Sequence, residues 1–182
     1  MERIFINGGN PLKGEVTISG AKNAVLAILP ATILAQDMCV IENVPRISDV
    51  EHMVRILHQL GARVNYINDT TLEIDTSSVN SYVVTHDMTK HMRASYYLIG
   101  TLISRFGRAK VAMPGGCNFG VRPIDQHIKG FEALGATVII EEHRHPCEAC
   151  GLRCDFPEYK EEAEHCSDPD NSVVRVSAER LI

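Results

Sequence analysis

Residues 114–125 read Pro-Gly-Gly-Cys-Asn-Phe-Gly-Val-Arg-Pro-Ile-Asp, which places one thiol, Cys117, on a glycine-flanked loop beside Arg122 and just ahead of a helix. Gly115, Gly116 and Gly120 let the backbone take positive φ and approach a ligand closely. Pro123 presets the first helical turn, and the amides of the helix beyond it favour nearby negative charge. Together with Arg122 these features favour the thiolate and attract an anionic substrate. An isolated Gly-Gly-Cys is more often a buried structural cysteine on a tight turn; the arginine, proline and aspartate that follow reverse that balance.

Those residues complete a pattern, P-G-G-C-x-x-G-x-R-P-x-D-x-H, that resembles the active-site loop of bacterial UDP-N-acetylglucosamine enolpyruvyl transferases. Ile18-Ser19-Gly20-Ala21-Lys22-Asn23-Ala24 is similar to that family's S-G-A-K-N segment, and Met92-Arg93-Ala94-Ser95 is a third match. All three occur in the family's order, and the resemblance covers residues 1–142. It implies transfer of the enolpyruvyl group of phosphoenolpyruvate to the 3-hydroxyl of UDP-N-acetylglucosamine, with release of phosphate and with no cofactor or metal. This is the first committed step of peptidoglycan synthesis, so the resemblance also implies a cytoplasmic transferase of cell-wall biogenesis, cell shape and cell division.

Such a reaction needs a proton donor for the methylene carbon, a base for the sugar hydroxyl and cations for phosphate and carboxylate. The resemblance implies that Cys117 is the proton donor and the residue alkylated by the epoxide antibiotic fosfomycin. It implies that Lys22, Asn23 and Arg122 meet phosphoenolpyruvate. Asn23, Arg93, Arg122, Pro123, Ile124, Asp125 and Gln126 would line the UDP-N-acetylglucosamine side. The residue types suit these roles: a flexible ammonium, an amide that donates and accepts, and a guanidinium capable of bidentate bonds. Plainer readings stand beside them: a solvated lysine at a helix start, a capping asparagine, an exposed helix arginine, and an aspartate serving as N-terminal helix charge. His127 is expected to pack or cap, and His52 and His58 carry no assignment.

The elements that position these residues alternate along the chain. Arg3 to Ile6 and Glu15 to Ile18 suggest a strand pair around Gly8-Gly9-Asn10-Pro11. Lys22 to Ala35 predicts a helix apolar on nearly every face and buried all round, bent or interrupted at Pro30. Met38 to Glu42, Val64 to Ile67 and Thr71 to Ile74 read as strands. Ser48 is expected to cap a helix with Val50, Met53, Val54, Leu57 and Leu60 at helical spacing, ended by Gly61. A long helix over Met88 to Phe106 is expected to close at Gly107. An internal repeat relates Arg46-Ile47-Ser48-Asp49, a helix and Leu60-Gly61-Ala62 to Arg122-Pro123-Ile124-Asp125, a second helix and Leu134-Gly135-Ala136. The residues alone reach α/β with internal repeats. The resemblance implies an inside-out α/β barrel of repeated strand-helix units, incomplete here, with helices enclosed by sheets.

Composition narrows the class. The chain has 182 residues, 45% hydrophobic, with a formal charge of −5, which argues against a broad nucleic-acid surface and leaves any basic site local. The N-terminus lacks a signal-peptide layout, and the apolar run from Ala24 to Ala35 is too short to span a bilayer. Small-molecule substrates, rather than nucleic acid or membrane, are the expected partners. Six cysteines, at 39, 117, 147, 150, 154 and 166, are expected to be reduced or metal-ligating.

From His143 onward the texture changes. Residues 143–182 carry 5 Lys/Arg against 9 Asp/Glu and read as a divergent acidic Cys/His-containing tail, expected to be non-native or disordered, as from a truncated or frame-shifted reading frame. Cys147, Cys150 and Cys154 with His143, His145, His165 and Cys166 raise a zinc-binding or interaction module on an inactive scaffold as the alternative. A shikimate-pathway enolpyruvyl transferase is the other; the cysteine loop and the S-G-A-K-N segment favour the amino-sugar enzyme. In the family the site lies between two similar domains, and the second supplies an aspartate base and a further arginine. Neither is located here, so a missing C-terminal domain would complete the site and the isolated chain is expected to be inactive.

Brief alkylation followed by peptide mass spectrometry should label Cys117 ahead of the other cysteines, more so with UDP-N-acetylglucosamine present. Equal labelling of Cys117 and Cys39 would remove the case for an activated thiol.

Overall fold

The computed structural model describes residues 3–9, 11, 13–89, 92–113, 124–141 and 173–179. Helix α1 (Lys22–Ala31) tightens into a 3-10 turn (Thr32–Leu34), followed by β1 (Met38–Ile41), α2 (Ser48–Gln59), β2 (Arg63–Asn68) and β3 (Thr71–Asp75). Then come β4 (Val83–Val84), α3 (His86–Thr89), a 3-10 turn (Arg93–Tyr96) running into α4 (Tyr97–Phe106), and β5 (Arg108–Ala112). The described elements end with α5 (Asp125–Ala133), β6 (Thr137–Glu141) and β7 (Val173–Ser177).

Helices form the centre and two sheets flank them. Helix α1 packs on α2 and α4, α2 on β2, and α4 on β5. One sheet is antiparallel in the order β1-β3-β2; the other runs β4-β5-β7-β6, parallel only between β4 and β5. Each sheet turns one face to the helices: Val64, Leu72, Ile74, Ala109, Val111, Val174 and Val176 are buried, whereas Met38, Val40, Ile67 and Ile139 on alternate positions are exposed. The helical spacing in α2 becomes a buried stripe of Val50, Met53, Val54, Ile56 and Leu57. Each such side chain contributes roughly 1.5–3 kcal/mol on burial.

The internal repeat is visible in the hydrogen bonds that end its two helices. Gly61 N–H donates to His58 O at 3.0 Å and Ala62 N–H to Leu57 O at 2.9 Å; Gly135 N–H donates to Glu132 O at 3.0 Å and Ala136 N–H to Phe131 O at 2.9 Å. Both glycines need positive φ, 103° and 89°, to close this pair of bonds. At the start of the first copy, the Arg46 guanidinium bonds Asp69 at 2.7 Å and lies 5.0 Å over the Tyr66 ring, while Tyr66 donates to Glu51 at 2.8 Å. Burial and that hydrogen bond push the Tyr66 phenol up to about 12.

Several expectations are corrected. Arg3 to Ile6 and Glu15 to Ile18 form no strand pair: Ile4, Phe5, Ile6, Val16 and Ile18 are at least 80% exposed, and a hairpin with no apolar surface to cover is marginal in water. Helix α1 is not buried all round; Val25, Leu26, Leu29 and Pro30 face the core while Ile28 is 45% exposed. Ser48 begins α2 as its first helical residue, and Ile47 occupies the cap. The long helix is broken, because Met92 takes φ −142° and ψ 113° and buries its side chain to 2% exposure.

The second sheet also takes in a strand from beyond residue 142: Val173–Ser177 sits between β5 and β6, paired from Ala112↔Val173 to Arg108↔Ser177 and from Glu141↔Val173 to Thr137↔Ser177. Its alternation supplies Val174 and Val176, each 2% exposed, to the core. Strands β6 and β7 are therefore adjacent antiparallel neighbours joined by residues 142–172, a connection far longer than hairpins require. Among the described residues no helix is long and apolar enough to cross a membrane.

Replacing residues 142–172 with Asn-Gly should keep the sheet and raise stability by about 2 kcal/mol, since each halving of a loop returns about 0.6 kcal/mol. Val176→Asp should cost about 3 kcal/mol or more by burying a charge. Urea unfolding of both variants checks this; loss of cooperative unfolding in the shortened chain would show that the connection itself holds the sheet.

Candidate functional site

Helix α1 begins with Lys22 and Asn23, and a close backbone contact determines where that start lies. Gly20 passes the loop that leads from β1 into α2 so tightly that a Cβ there would fall 1.9 Å from the Asn43 carbonyl oxygen and 3.3 Å from Pro45 Cδ. The loop makes its own concession, for Asn43 holds φ at 56°. Only glycine allows this approach, which is the physical content of the Ser19-Gly20-Ala21-Lys22-Asn23 segment.

The contact brings the N-termini of α1 and α2 together. Across them Lys22 Nζ makes an ion pair with Asp49 Oδ2; the lysine side chain is 57% exposed and the aspartate 24%. The first turn of α1 holds no acidic residue and its cap, Ala21, makes no side-chain bond, so no side chain of the helix's own start offsets the partial positive charge of its leading amides. Asn23 is exposed beside Lys22. An ammonium, an amide side chain and a helix N-terminus at one place suit an anionic ligand.

A second grouping forms around α5. Ile124 caps that helix and is buried at 7% exposure, while Asp125 and Gln126 in its first turn are exposed. His127 meets the Tyr96 ring edge-on at 4.9 Å, so α5 is held against the 3-10 turn that starts with half-buried Arg93. His127 thus packs, as expected. Arg93 leads this turn rather than sitting near the start of a long helix. Cys117, Arg122 and Pro123 lie outside the described residues, as do the cysteines and histidines between 143 and 166.

Asp49 is the residue that sequence reasoning passed over. Its signal was present: it occupies, in Arg46-Ile47-Ser48-Asp49, the place that Asp125 holds in the second copy of the repeat. A hollow on the outer face of the four-stranded sheet, lined by Tyr82, Arg108, Lys110, Arg175 and Ser177, contains none of the expected site residues. Among the described residues no group of three or more His, Cys, Asp or Glu is placed to hold a metal ion.

Comparison with known proteins bears on what this arrangement serves. The family model of EPSP synthase (3-phosphoshikimate 1-carboxyvinyltransferase) matches residues 6–153, past the boundary at 142. The UDP-N-acetylglucosamine 1-carboxyvinyltransferase 2 of Clostridium acetobutylicum is 55% identical over 141 residues, 77% of this chain and 34% of that protein. The UDP-N-acetylglucosamine 1-carboxyvinyltransferase of Dichelobacter nodosus is 47% identical over 153 residues, 84% of this chain and 36% of that protein. The chain thus spans about a third of the length of these relatives. Among solved structures, the enolpyruvyl transferase NikO from Streptomyces tendae superposes with a TM-score of 0.64 at 24% identity, covering 96% of this chain and 32% of that one, a likeness of fold.

Gly20→Ala should lower the unfolding free energy by about 1–3 kcal/mol, because the obstruction is backbone and cannot swing aside. Gly8→Ala, with nothing within 4 Å of the added carbon, should stay within about 0.5 kcal/mol. Parallel urea titrations compare them, and equal stability of the two variants would show that the loop yields freely.

Proposed function

The chain belongs to the EPSP synthase family, and from that premise we propose that it provides the phosphoenolpyruvate-facing wall of an enolpyruvyl transferase whose acceptor is UDP-N-acetylglucosamine. The observation that carries this reading is the 55% identity, over 141 residues, to a relative named for that reaction. The same identity favours the amino-sugar acceptor over the shikimate one. In this reading the protein is cytoplasmic, needs neither membrane nor nucleic acid, and serves peptidoglycan synthesis and so cell shape and division.

A base takes the proton of the 3-hydroxyl as its oxygen adds to C2 of phosphoenolpyruvate and Cys117 gives a proton to C3; C3 then returns a proton to the enzyme as the C2–O bond to phosphate breaks, which restores the double bond and releases phosphate. Lys22 and Arg122 hold the phosphate and carboxylate as charge shifts, and Asn23 bridges to the sugar. Arg93, Arg122, Pro123, Ile124, Asp125 and Gln126 line the nucleotide side, with the N-terminal end of α5 favouring the diphosphate. Cys117 is the thiol that fosfomycin would alkylate. A base and a further arginine come from the part of the family chain that these residues do not span, so the 182 residues alone do not turn over.

Joining this chain to the remaining two thirds of the Clostridium acetobutylicum relative tests the reading. Phosphate release from phosphoenolpyruvate and UDP-N-acetylglucosamine is expected from the chimera and not from the chain alone. Cys117→Asp should keep turnover and resist fosfomycin; Cys117→Ser should lose about 10²-fold or more. A serine form as fast as the cysteine form would remove the acid role, and release with shikimate 3-phosphate as the preferred acceptor would replace the substrate.

A further inference from the structure

We infer that Asp49 is the positioning residue of Lys22, a role that rests on the reading of Lys22 as a phosphoenolpyruvate ligand. Lys22 has a four-carbon stem, is more than half exposed, and opens its helix, the end where the macrodipole disfavours a cation. Left to itself the ammonium would sweep a wide volume away from the helix start. Asp49 stands at the favourable end of its own helix for a carboxylate and is the more buried of the two partners.

The first turn of α2 holds one other acid, Glu51, and that one is already bonded to Tyr66 at 2.8 Å on the side of β2. Asp49 is therefore the acid that reaches Lys22. The ammonium has three donors, and one contact with Asp49 leaves two to turn toward an anion. The Gly20–Asn43 backbone contact sets the separation of the two helix starts, and the Asp49 carboxylate sets the direction of the side chain within it.

Trace acetylation of the full 182-residue chain, read lysine by lysine by mass spectrometry, tests this without substrate. Lys22 should react about two- to fivefold more slowly than Lys129, exposed on α5, the range expected of a half-exposed ion pair. Asp49→Asn should bring Lys22 to the rate of Lys129, Asp49→Glu should restore protection, and the unfolding midpoint should not move. Equal rates in the unaltered chain, or an Asp49→Asn rate that stays low, overturns the proposal, as does a loss of protection that only follows unfolding. Phosphoenolpyruvate is then added as a probe to the chimera with the relative's remaining two thirds: if it leaves Lys22 equally reactive there while the Asp49 effect persists, the substrate assignment fails and the ion pair stands.

Discussion

Arg105, one residue from the end of α4, donates to four backbone carbonyls: Ile33 at 3.0 Å, Thr76 at 2.8 Å, Ser77 at 3.4 Å and Val79 at 3.0 Å. These belong to the turn that ends α1 and to the segment leaving β3, places where the chain departs from regular structure and its carbonyls lose their ladder partners. Thr76 adds a bond from its hydroxyl to Thr32 O at 3.0 Å. A rigid five-donor fork is suited to this, since a point-charge ammonium is poorly matched to four carbonyls spread over two stretches of chain. Leaving such groups without partners would cost about 1–3 kcal/mol each, so the packing of α1, α4 and the first sheet depends on this one side chain.

With the far end of α1 held by Arg105, its leading end is held by Gly20 against Asn43 and by Lys22 to Asp49. The candidate site residues share a position in the fold. Lys22 and Asn23 open α1, Asp125 and Gln126 open α5, and Arg93 opens the turn before α4. Helix starts present unpaired amides and partial positive charge, so each of these positions favours an anion.

The second sheet shows how local coding and distant pairing differ. Val174 and Val176 alternate with polar neighbours as a strand should, yet the surrounding composition of residues 143–182 hid a five-residue strand that sits at the centre of the sheet. The opposite happened at the N-terminus. Ile4 to Ile6 and Val16 to Ile18 carry strand-like residues, yet they pair with no described strand and stay exposed.

What this sequence determined by itself is what neighbours within a turn or a strand decide: the stripe of α2, the strands around β2 and β3, and the paired Leu-Gly-Ala turns, whose bonds span only three to five residues. Its motifs also named Lys22, Asn23, Arg93 and Asp125 before their places were known. Tertiary structure alone decided the rest. The carbonyls that Arg105 satisfies lie between 26 and 72 residues away, the aspartate that orients Lys22 belongs to another helix, and β7 finds its partners across a connection of arbitrary length. Pairings between distant segments are set by which surfaces the packed core leaves facing each other, and local sequence carries no record of that choice.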